Sequence, residues 1–238
     1  MMWQEYLSMS TLHDIVPHLT PKPIAWGTYA ANHNIHFLVS EFAEMTDDVP
    51  DTSFMASLAD LHTRGLSPNN KYGFPVPTFQ RAMPQYTTWT DSWEEFFSNS
   101  IKRVFKFEER THGPDPEVQE LERQILEKVV PRLLRPLETG GRSIHPRLIH
   151  GDIWDGNVST RAEDDSPVIF DASCIYAHNE GKLSTKCFMN GPDETAELAP
   201  LRPARHRMGK SYIKAYFRHF PISAPEEDQD DRNALYCL

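Results

Sequence analysis

The chain has 238 residues, of which 39% are hydrophobic and 11% aromatic, so it can bury a core of one large or two small domains. Its formal net charge of −10, spread without a basic block, opposes the attraction to phosphate backbones on which nucleic-acid binding depends, and this excludes DNA and RNA partners. The start has no basic leader, and no apolar run approaches the ~18 residues of a membrane span, so we expect a cytoplasmic protein with no membrane partner.

Hydrophobic periodicity and helix-ending residues predict helices along most of the chain. Proline at position 17 ends the first helix, Gly65 follows the second, and Asp115 with Pro116 begins a later one. The predicted elements, in order, are a helix over 3–16, a strand over 35–42, a helix over 53–64, an irregular aromatic segment over 66–92, helices over 97–105 and 116–129, strands over 147–152 and 167–171, and a helix over 208–219.

Two segments contain the candidate catalytic and metal-binding residues. Residues 148–157 read LIHGDIWDGN, and residues 167–171 read PVIFD. Each apolar run predicts a short buried strand, and each strand delivers polar side chains where it ends. The two strands are expected to flank one turn, which would bring Asp152, Asn157 and Asp171 together.

These three side chains suit phosphoryl transfer. A carboxylate such as Asp152 can orient or deprotonate an acceptor hydroxyl, while Asn157 and Asp171 offer the hard oxygen ligands that Mg²⁺ needs when it bridges the phosphates of ATP. His150 is a second candidate for the base, but a histidine directly before Gly-Asp at a strand end is better suited to support the loop backbone. The pattern therefore predicts a kinase catalytic centre.

The cysteines and the other histidines suggest no metal or redox site. Cys174, Cys187 and Cys237 are odd in number and widely spaced, so we expect reduced thiols. The eleven histidines show no spacing typical of metal ligands.

Several segments together resemble the fructosamine and ketosamine kinases, relatives of the aminoglycoside phosphotransferases. The resemblance covers most of residues 3–238. It rests on HGDIWDGN with PVIFDASCIYAHNE, on KYGF at 71–74, on WTDSWEEFF at 89–97, and on LADLH at 58–62. It implies an α+β, protein-kinase-like fold with a mainly helical C-terminal lobe and an incomplete N-terminal β lobe. Residues 1–43 would be the remnant of the small nucleotide-binding lobe with its hinge, and residues 44–238 the catalytic lobe.

The resemblance also implies an activity and further site residues. A kinase of this family uses ATP and Mg²⁺ to phosphorylate the 3-hydroxyl of a ketosamine, either a small molecule or a ribulosamine or fructosamine adduct on a protein lysine, and the product then decomposes to free the amine. Glu5 resembles the glutamate that pairs with the nucleotide-binding lysine. The backbone of the segment Glu41, Phe42, Ala43 and Glu44 would contact adenine as the hinge.

Aromatic side chains are candidates for contact with the sugar, because apolar sugar faces stack on rings. Trp89 and Trp93 lie in the aromatic segment, and Trp154 lies in the motif itself. Packing of the core under a loop explains such residues equally well.

Three departures from the family pattern bear on activity. Relatives carry a β lobe with a phosphate-covering loop and a lysine before the Glu5 helix, and nothing precedes Met1 here. Residues 181–196 form an atypical insert, expected to be a loop or translated intron, and the chain stops at Leu238 in what resembles the middle of a helix. These features favour a fragment that keeps the catalytic lobe.

Two other functions stay open on the sequence. The HGDxxxxN pattern is shared with aminoglycoside and choline kinases, which would keep the fold and change the acceptor. A catalytically impaired chain acting only as a binding module is the alternative of a different class.

Overall fold

A computed structural model of the chain describes residues 2–80, 83–181, 198, 201 and 207–237. The elements alternate helices with short strands, which fits the predicted α+β class. The helices are α1 Met2–Ile15, α2 Phe54–Arg64, α3 Trp93–His112, α4 Pro116–Gln124, α5 Val130–Leu133, α6 Lys210–Tyr216 and α7 Gln229–Tyr236. The strands are β1 Pro23–Tyr29, β2 Asn32–Ser40, β3 Phe79–Gln80, β4 Met83–Pro84, β5 Arg147–Ile149, β6 Val158–Thr160, β7 Pro167–Ile169 and β8 Ile175–Ala177.

An antiparallel hairpin follows α1. The sequence predicted its second strand, β2, but not β1, which pairs with β2 so that Trp26 lies opposite Leu38. Trp26 is 42% exposed, and Ile24 and Val39 are also exposed. Because β1 combines an early proline with a glycine at position 27, composition gave no strong strand signal there.

The second helix, predicted over 53–64, is confirmed at Phe54–Arg64. Its capping oxygen comes from Asp51, whose Oδ1 accepts the Ser53 N–H at 2.7 Å, while the Ser53 side chain makes no capping bond. Gly65 has φ −80°, so it is not the left-handed cap usual for glycine. A Cβ on Gly65 would lie 2.7 Å from the Leu61 carbonyl oxygen and 3.0 Å from Leu148 Cβ. Glycine is therefore required here because α2 approaches β5 closely.

The two strands predicted around the catalytic turn exist but do not pair with each other. Strand β5 pairs with β8, and β6 pairs with β7, each pair being antiparallel. Strands β6 and β8 were not predicted from the sequence. The segment around Gly73 extends the first pair, since the Gly73 and Tyr176 backbones exchange hydrogen bonds of 3.0 and 2.8 Å.

The helices before the motif confirm one expectation and correct another. Asp115 Oδ1 accepts from the N–H groups of Glu117 and Val118, with Pro116 in the first turn, as predicted. A single helix with an apolar face was predicted over 116–129, but α4 ends at Gln124. It contains no fully buried residue and Leu121 is 48% exposed, while half-buried Val118 packs against the core. The helix lies at the edge of the molecule and continues into a π-helical turn, Ile125–Val129, before α5.

The segment after β8 leads into a buried polar cluster, defined here as Trp93, His178, Glu180, Arg232 and Tyr236. Glu180 and Arg232 form an ion pair of 3.1 Å with side chains 1% and 0% exposed. The Trp93 indole N–H donates to the Tyr236 hydroxyl at 2.9 Å, and His178 Nδ1 lies 3.0 Å from the same hydroxyl. Burial lowers the pKa of His178 to about 4, so this imidazole is neutral at pH 7.

The predicted insert and one of the cysteines cannot be compared with the described residues. Only Gly181 of the predicted insert 181–196 is described, and the rest, like Cys187, lies outside the described residues. Neither Cys174 nor Cys237 is in a disulfide. Among the described residues, no helix combines the length and the apolar character that a membrane crossing needs.

The buried ion pair provides a test of stability. We expect Glu180→Ala to lower the free energy of unfolding by about 3–5 kcal/mol, because Arg232 would be left charged and unpaired in the core. The exposed pair between Arg132 and Asp228 is the control, since Arg132→Ala should cost less than about 1 kcal/mol. Urea denaturation at pH 7 measures both, and equal losses in the two variants would contradict this account.

Candidate active site

The catalytic turn begins where β5 ends. Leu148 and Ile149 are fully buried, and Gly151 has φ +82°, a left-handed conformation that lets the chain reverse before Asp152. The Asp152 N–H donates to Nδ1 of His150 at 3.2 Å, and Nε2 of His150 lies 3.0 Å from the Phe170 carbonyl oxygen. Because Nδ1 accepts, Nε2 must carry the proton and donate. His150 thus holds two backbone segments together, as expected of a supporting residue rather than a base.

Asp152 and Asn157 are in direct contact. The Asn157 Nδ2 donates to the Asp152 carboxylate Oδ2 at 2.8 Å and to the Asp152 backbone oxygen at 3.0 Å. This orientation leaves the amide oxygen Oδ1 of Asn157 as a ligand atom. The other carboxylate oxygen of Asp152, Oδ1, is buried and accepts no hydrogen bond from the described residues. A buried acceptor in this state costs free energy unless a bound group satisfies it.

The pairing of β6 with β7 brings Asp171 to the same place. Val158 lies opposite Ile169, and one step further the Phe170 N–H donates to the Asn157 backbone oxygen at 3.1 Å. Asp171 follows directly, is exposed, and has φ +57°, an uncommon value for a residue other than glycine. The pairing of β6 with β7 therefore holds the residue before Asp171 against the Asn157 backbone, while the Asn157 side chain contacts Asp152. A role of Asp171 as metal ligand stays a prediction.

Glu5 approaches this site from α1. The Ser8 hydroxyl on the same helix accepts the Cys174 N–H at 3.2 Å, which fixes α1 against the loop that follows Asp171. Burial raises the pKa of Glu5, repulsion by Asp171 raises it further, and the amino terminus of the chain acts in the opposite direction. Glu5 and Asp171 are therefore close enough for their carboxylates to repel each other.

The predicted hinge segment connects the β1–β2 hairpin with the β6–β7 pair. The Glu41 N–H donates to the Lys22 backbone oxygen at 2.8 Å, and the Ala162 N–H donates to the Glu44 backbone oxygen at 3.0 Å. Phe42 is 88% exposed between these two attachments, and Ala43 is half-buried. A role of this segment in adenine contact stays a prediction.

The three tryptophans differ in their surroundings. Trp93 is 1% exposed and belongs to the buried polar cluster, so the structure corrects its assignment as a sugar contact in favour of core packing. Trp89 is half-buried and stacks on Tyr176 at 6.0 Å between ring centroids. Trp154 is half-buried and its ring lies against Gly156, where a Cβ would collide with it. For Trp89 and Trp154, sugar contact stays a prediction.

The β3–β4 hairpin supplies contacts that sequence reasoning missed. The Ser173 hydroxyl donates to the Phe79 backbone oxygen at 2.8 Å, and Gln85 Nε2 donates to the Ser173 backbone oxygen at 3.1 Å. Gln80 Nε2 lies 3.5 Å from the Gly151 backbone oxygen. These glutamines sit in a proline-rich irregular segment, where no periodicity indicates which side chains turn inward.

The described residues hold no cluster of three or more His, Cys, Asp or Glu side chains that could bind a metal ion by themselves. A divalent ion at this site would be held by one amide oxygen, from Asn157, and one carboxylate oxygen, from Asp171. A bound nucleotide would supply further oxygens. Mg²⁺ commonly binds in this way, through one or two protein ligands plus phosphates.

Comparison with known proteins gives a consistent result. The family model described as fructosamine kinase matches residues 1–238. The protein named "Protein-ribulosamine 3-kinase, chloroplastic" from Oryza sativa subsp. indica is 31% identical over 225 residues, which cover 92% of this chain and 63% of that protein. The mouse "Ketosamine-3-kinase" is 37% identical over 124 residues, covering 51% of this chain and 37% of that protein. The chain thus spans less than two thirds of these relatives.

Two crystal structures share the fold. A Haemophilus somnus protein assigned as a fructosamine-3-kinase has a TM-score of 0.69 at 19% identity, covering 99% of this chain and 70% of that one. A Thermobifida fusca protein with the same assignment has a TM-score of 0.68 at 20% identity, covering 98% of this chain and 70% of that one.

The supporting role of His150 can be tested on stability. We expect His150→Leu to lower the free energy of unfolding by about 2–4 kcal/mol, because the Asp152 N–H and the Phe170 oxygen would both lose their partner inside the protein. His219→Leu, at an exposed position, is the matched control and should change it by less than about 0.5 kcal/mol. Urea denaturation checks both, and a near-neutral His150→Leu would show that the bridge is dispensable.

Proposed function

The chain belongs to the fructosamine kinase family, and from this premise we propose that it is an ATP-dependent kinase acting on the 3-hydroxyl of ketosamines. The substrates would be ribulosamine or fructosamine adducts, on protein lysines or as small molecules. Phosphorylation would lead to decomposition of the adduct and release of the amine. The single observation that carries the proposal is the contact of Asp152 with Asn157 beside Asp171.

The residues present fit a metal-bound nucleotide. Asp152 Oδ1 is a buried acceptor without a partner among the described residues, and burial together with the Asp171 carboxylate raises the pKa of Glu5. Asn157 Oδ1 and the Asp171 carboxylate would hold Mg²⁺, an amide and a carboxylate being hard oxygen ligands. When bound, Mg²⁺-ATP supplies the phosphoryl group and neutralises the charge that develops on it.

The protein's own contribution is to orient the acceptor. The Asp152 carboxylate would accept the proton of the substrate 3-hydroxyl as that oxygen attacks. Asn157 fixes the carboxylate through its Nδ2, and His150 fixes the backbone through the Asp152 N–H. Neither group needs to move during the reaction, so the carboxylate is already oriented before the substrate binds. Holding the reacting groups in this way lowers the entropic part of the activation barrier.

The division of the chain is part of the same proposal. Residues 1–43 would contribute to nucleotide binding through Glu5 and the hinge Glu41–Glu44, and residues 44–238 would carry the catalytic turn. A cytoplasmic location is also proposed, whereas the name of the rice relative places that protein in the chloroplast.

The proposed base has a direct test. We expect the purified chain to release phosphorylated product from ribulosamine-modified lysine in an ATP-dependent manner, and Asp152→Ala to lower kcat by at least about 100-fold because the base is lost. Asp164→Ala is the matched control, since Asp164 lies exposed at the β6–β7 tip, and it should leave kcat unchanged.

Other outcomes of that experiment decide between the functions left open by the sequence. Turnover of an aminoglycoside or choline with none of ribulosamine would move the chain to a different acceptor class. Folded protein that neither turns over substrate nor binds Mg²⁺-ATP in calorimetry would indicate a binding module.

The proposed metal ligand Asp171 can be tested against Asp165, an aspartate with the same backbone conformation. Asp171 and Asp165 both have positive φ, at 57° and 58°, and asparagine tolerates this conformation. Asp171→Asn should raise the Mg²⁺ concentration for half-maximal activity by at least about tenfold, whereas Asp165→Asn should not change it. An unchanged Mg²⁺ dependence in Asp171→Asn would remove Asp171 from the metal site.

A further inference from the structure

A cavity of about 260 Å³ lies at the amino-terminal end of β5, away from the catalytic turn. We call it the β5 pocket. It forms where the loop before β5 meets the chain that follows α6, and its wall combines basic and apolar side chains. Among the residues that line it are Arg142, Ile144, His145, Arg147, Phe220 and Ile222.

The charge of the β5 pocket is opposite to that of the chain. Arg142, His145 and Arg147 are the ionisable residues among those that line it, and no described carboxylate does so. The whole sequence carries 34 acidic against 24 basic residues, so a pocket bordered by basic groups alone is not what the overall composition favours. Such a wall attracts anions.

Arg147 is fixed in place by contacts that leave part of its guanidinium available. Its Nη1 donates to the His62 backbone oxygen at 2.7 Å, in the last turn of α2, and its Cζ lies 4.9 Å from the centre of the Phe220 ring. Burial lowers the pKa of Arg147. The bond that Nη1 donates to the end of α2 uses one of the five N–H donors of the guanidinium, so other donors remain for a ligand.

The opposite wall suits an apolar body. Phe220 and Ile222 are half-buried, and Ile144 is half-buried on the other side. Ligand sites typically combine such apolar surface with a few fixed polar groups. The volume is at the small end for such sites, which limits the ligand to about the size of a single ring with one substituent.

We propose that the β5 pocket binds a small organic oxyanion, with a phosphate or carboxylate group at Arg142 and Arg147 and an apolar body against Phe220 and Ile222. Guanidinium groups bind both oxyanions through paired hydrogen bonds. None of these residues belongs to the candidate active site, so the proposal stands or falls independently of the kinase function.

Calorimetric titration of the full chain with phenyl phosphate, benzoate and inorganic phosphate tests this. We expect phenyl phosphate or benzoate to bind at least about tenfold more tightly than inorganic phosphate, because the ring buries apolar surface. Which of the two aromatic anions binds more tightly identifies the preferred oxyanion. Arg142→Gln should weaken binding by at least about tenfold, through loss of a charge-assisted hydrogen bond.

Two control variants keep the result interpretable. Arg110→Gln removes one exposed positive charge from α3, outside the pocket, and should leave the affinity unchanged. Asp152→Ala should also leave it unchanged, which separates the β5 pocket from the candidate active site. Arg142 is exposed, and its Nε donates to the Pro136 backbone oxygen, so a second variant is needed. His145→Gln, at another exposed position of the pocket, is expected to weaken binding as well.

The proposal is overturned if neither aromatic anion binds, or if Arg142→Gln and His145→Gln bind as tightly as the unmodified chain. It is also overturned if inorganic phosphate binds as tightly as the aromatic anions, since the apolar wall would then contribute nothing.

Discussion

The His150 imidazole makes a bridge between the backbone segments that carry Asp152 and Asp171. One ring nitrogen accepts the Asp152 N–H and the other donates to the Phe170 oxygen, and the ring is fully buried. Each bond contributes about 1 kcal/mol, but leaving either backbone group unpaired in the interior costs more than that. The turn that carries Asp152 and the loop that carries Asp171 are therefore held as one unit.

Repulsion between carboxylates is the main electrostatic feature of this unit. Glu5 and Asp171 come from separate segments, and burial together with repulsion from Asp171 raises the pKa of Glu5. At the other end of the three-residue strand β5, Arg142 and Arg147 border a pocket of the opposite sign. One short strand thus separates an anionic site from a cationic one.

The sequence predicted one contact of the candidate site: Asn157 lies against Asp152, five residues earlier, because both belong to one short turn. The position of Asp171 depends on the pairing of β6 with β7, and β6 was not predicted. All four strands from β5 to β8 have three residues, too few for alternation to register, and β5 and β7 were predicted only because each lies in a longer apolar run that ends at a motif residue. Strand β6 includes Ser159 and Thr160, and no such run marks it. Trp93 was misassigned because its partner, Tyr236, lies 143 positions later in the chain. Local pattern carries no information about such contacts.

The β5–β8 ladder connects the catalytic turn to the buried polar cluster. It has three residue pairs, from Arg147–Ala177 to Ile149–Ile175, and a two-stranded ladder of this length is not stable alone. Its order must come from what lies at its ends and on its faces. His150 and Ser173 are joined at one end by a backbone bond of 2.9 Å, and β8 leads at the other end into His178 and Glu180. Because the ion pair of Glu180 with Arg232 secures that second end, a residue of α7 helps to hold the strand from which Asp152 is positioned.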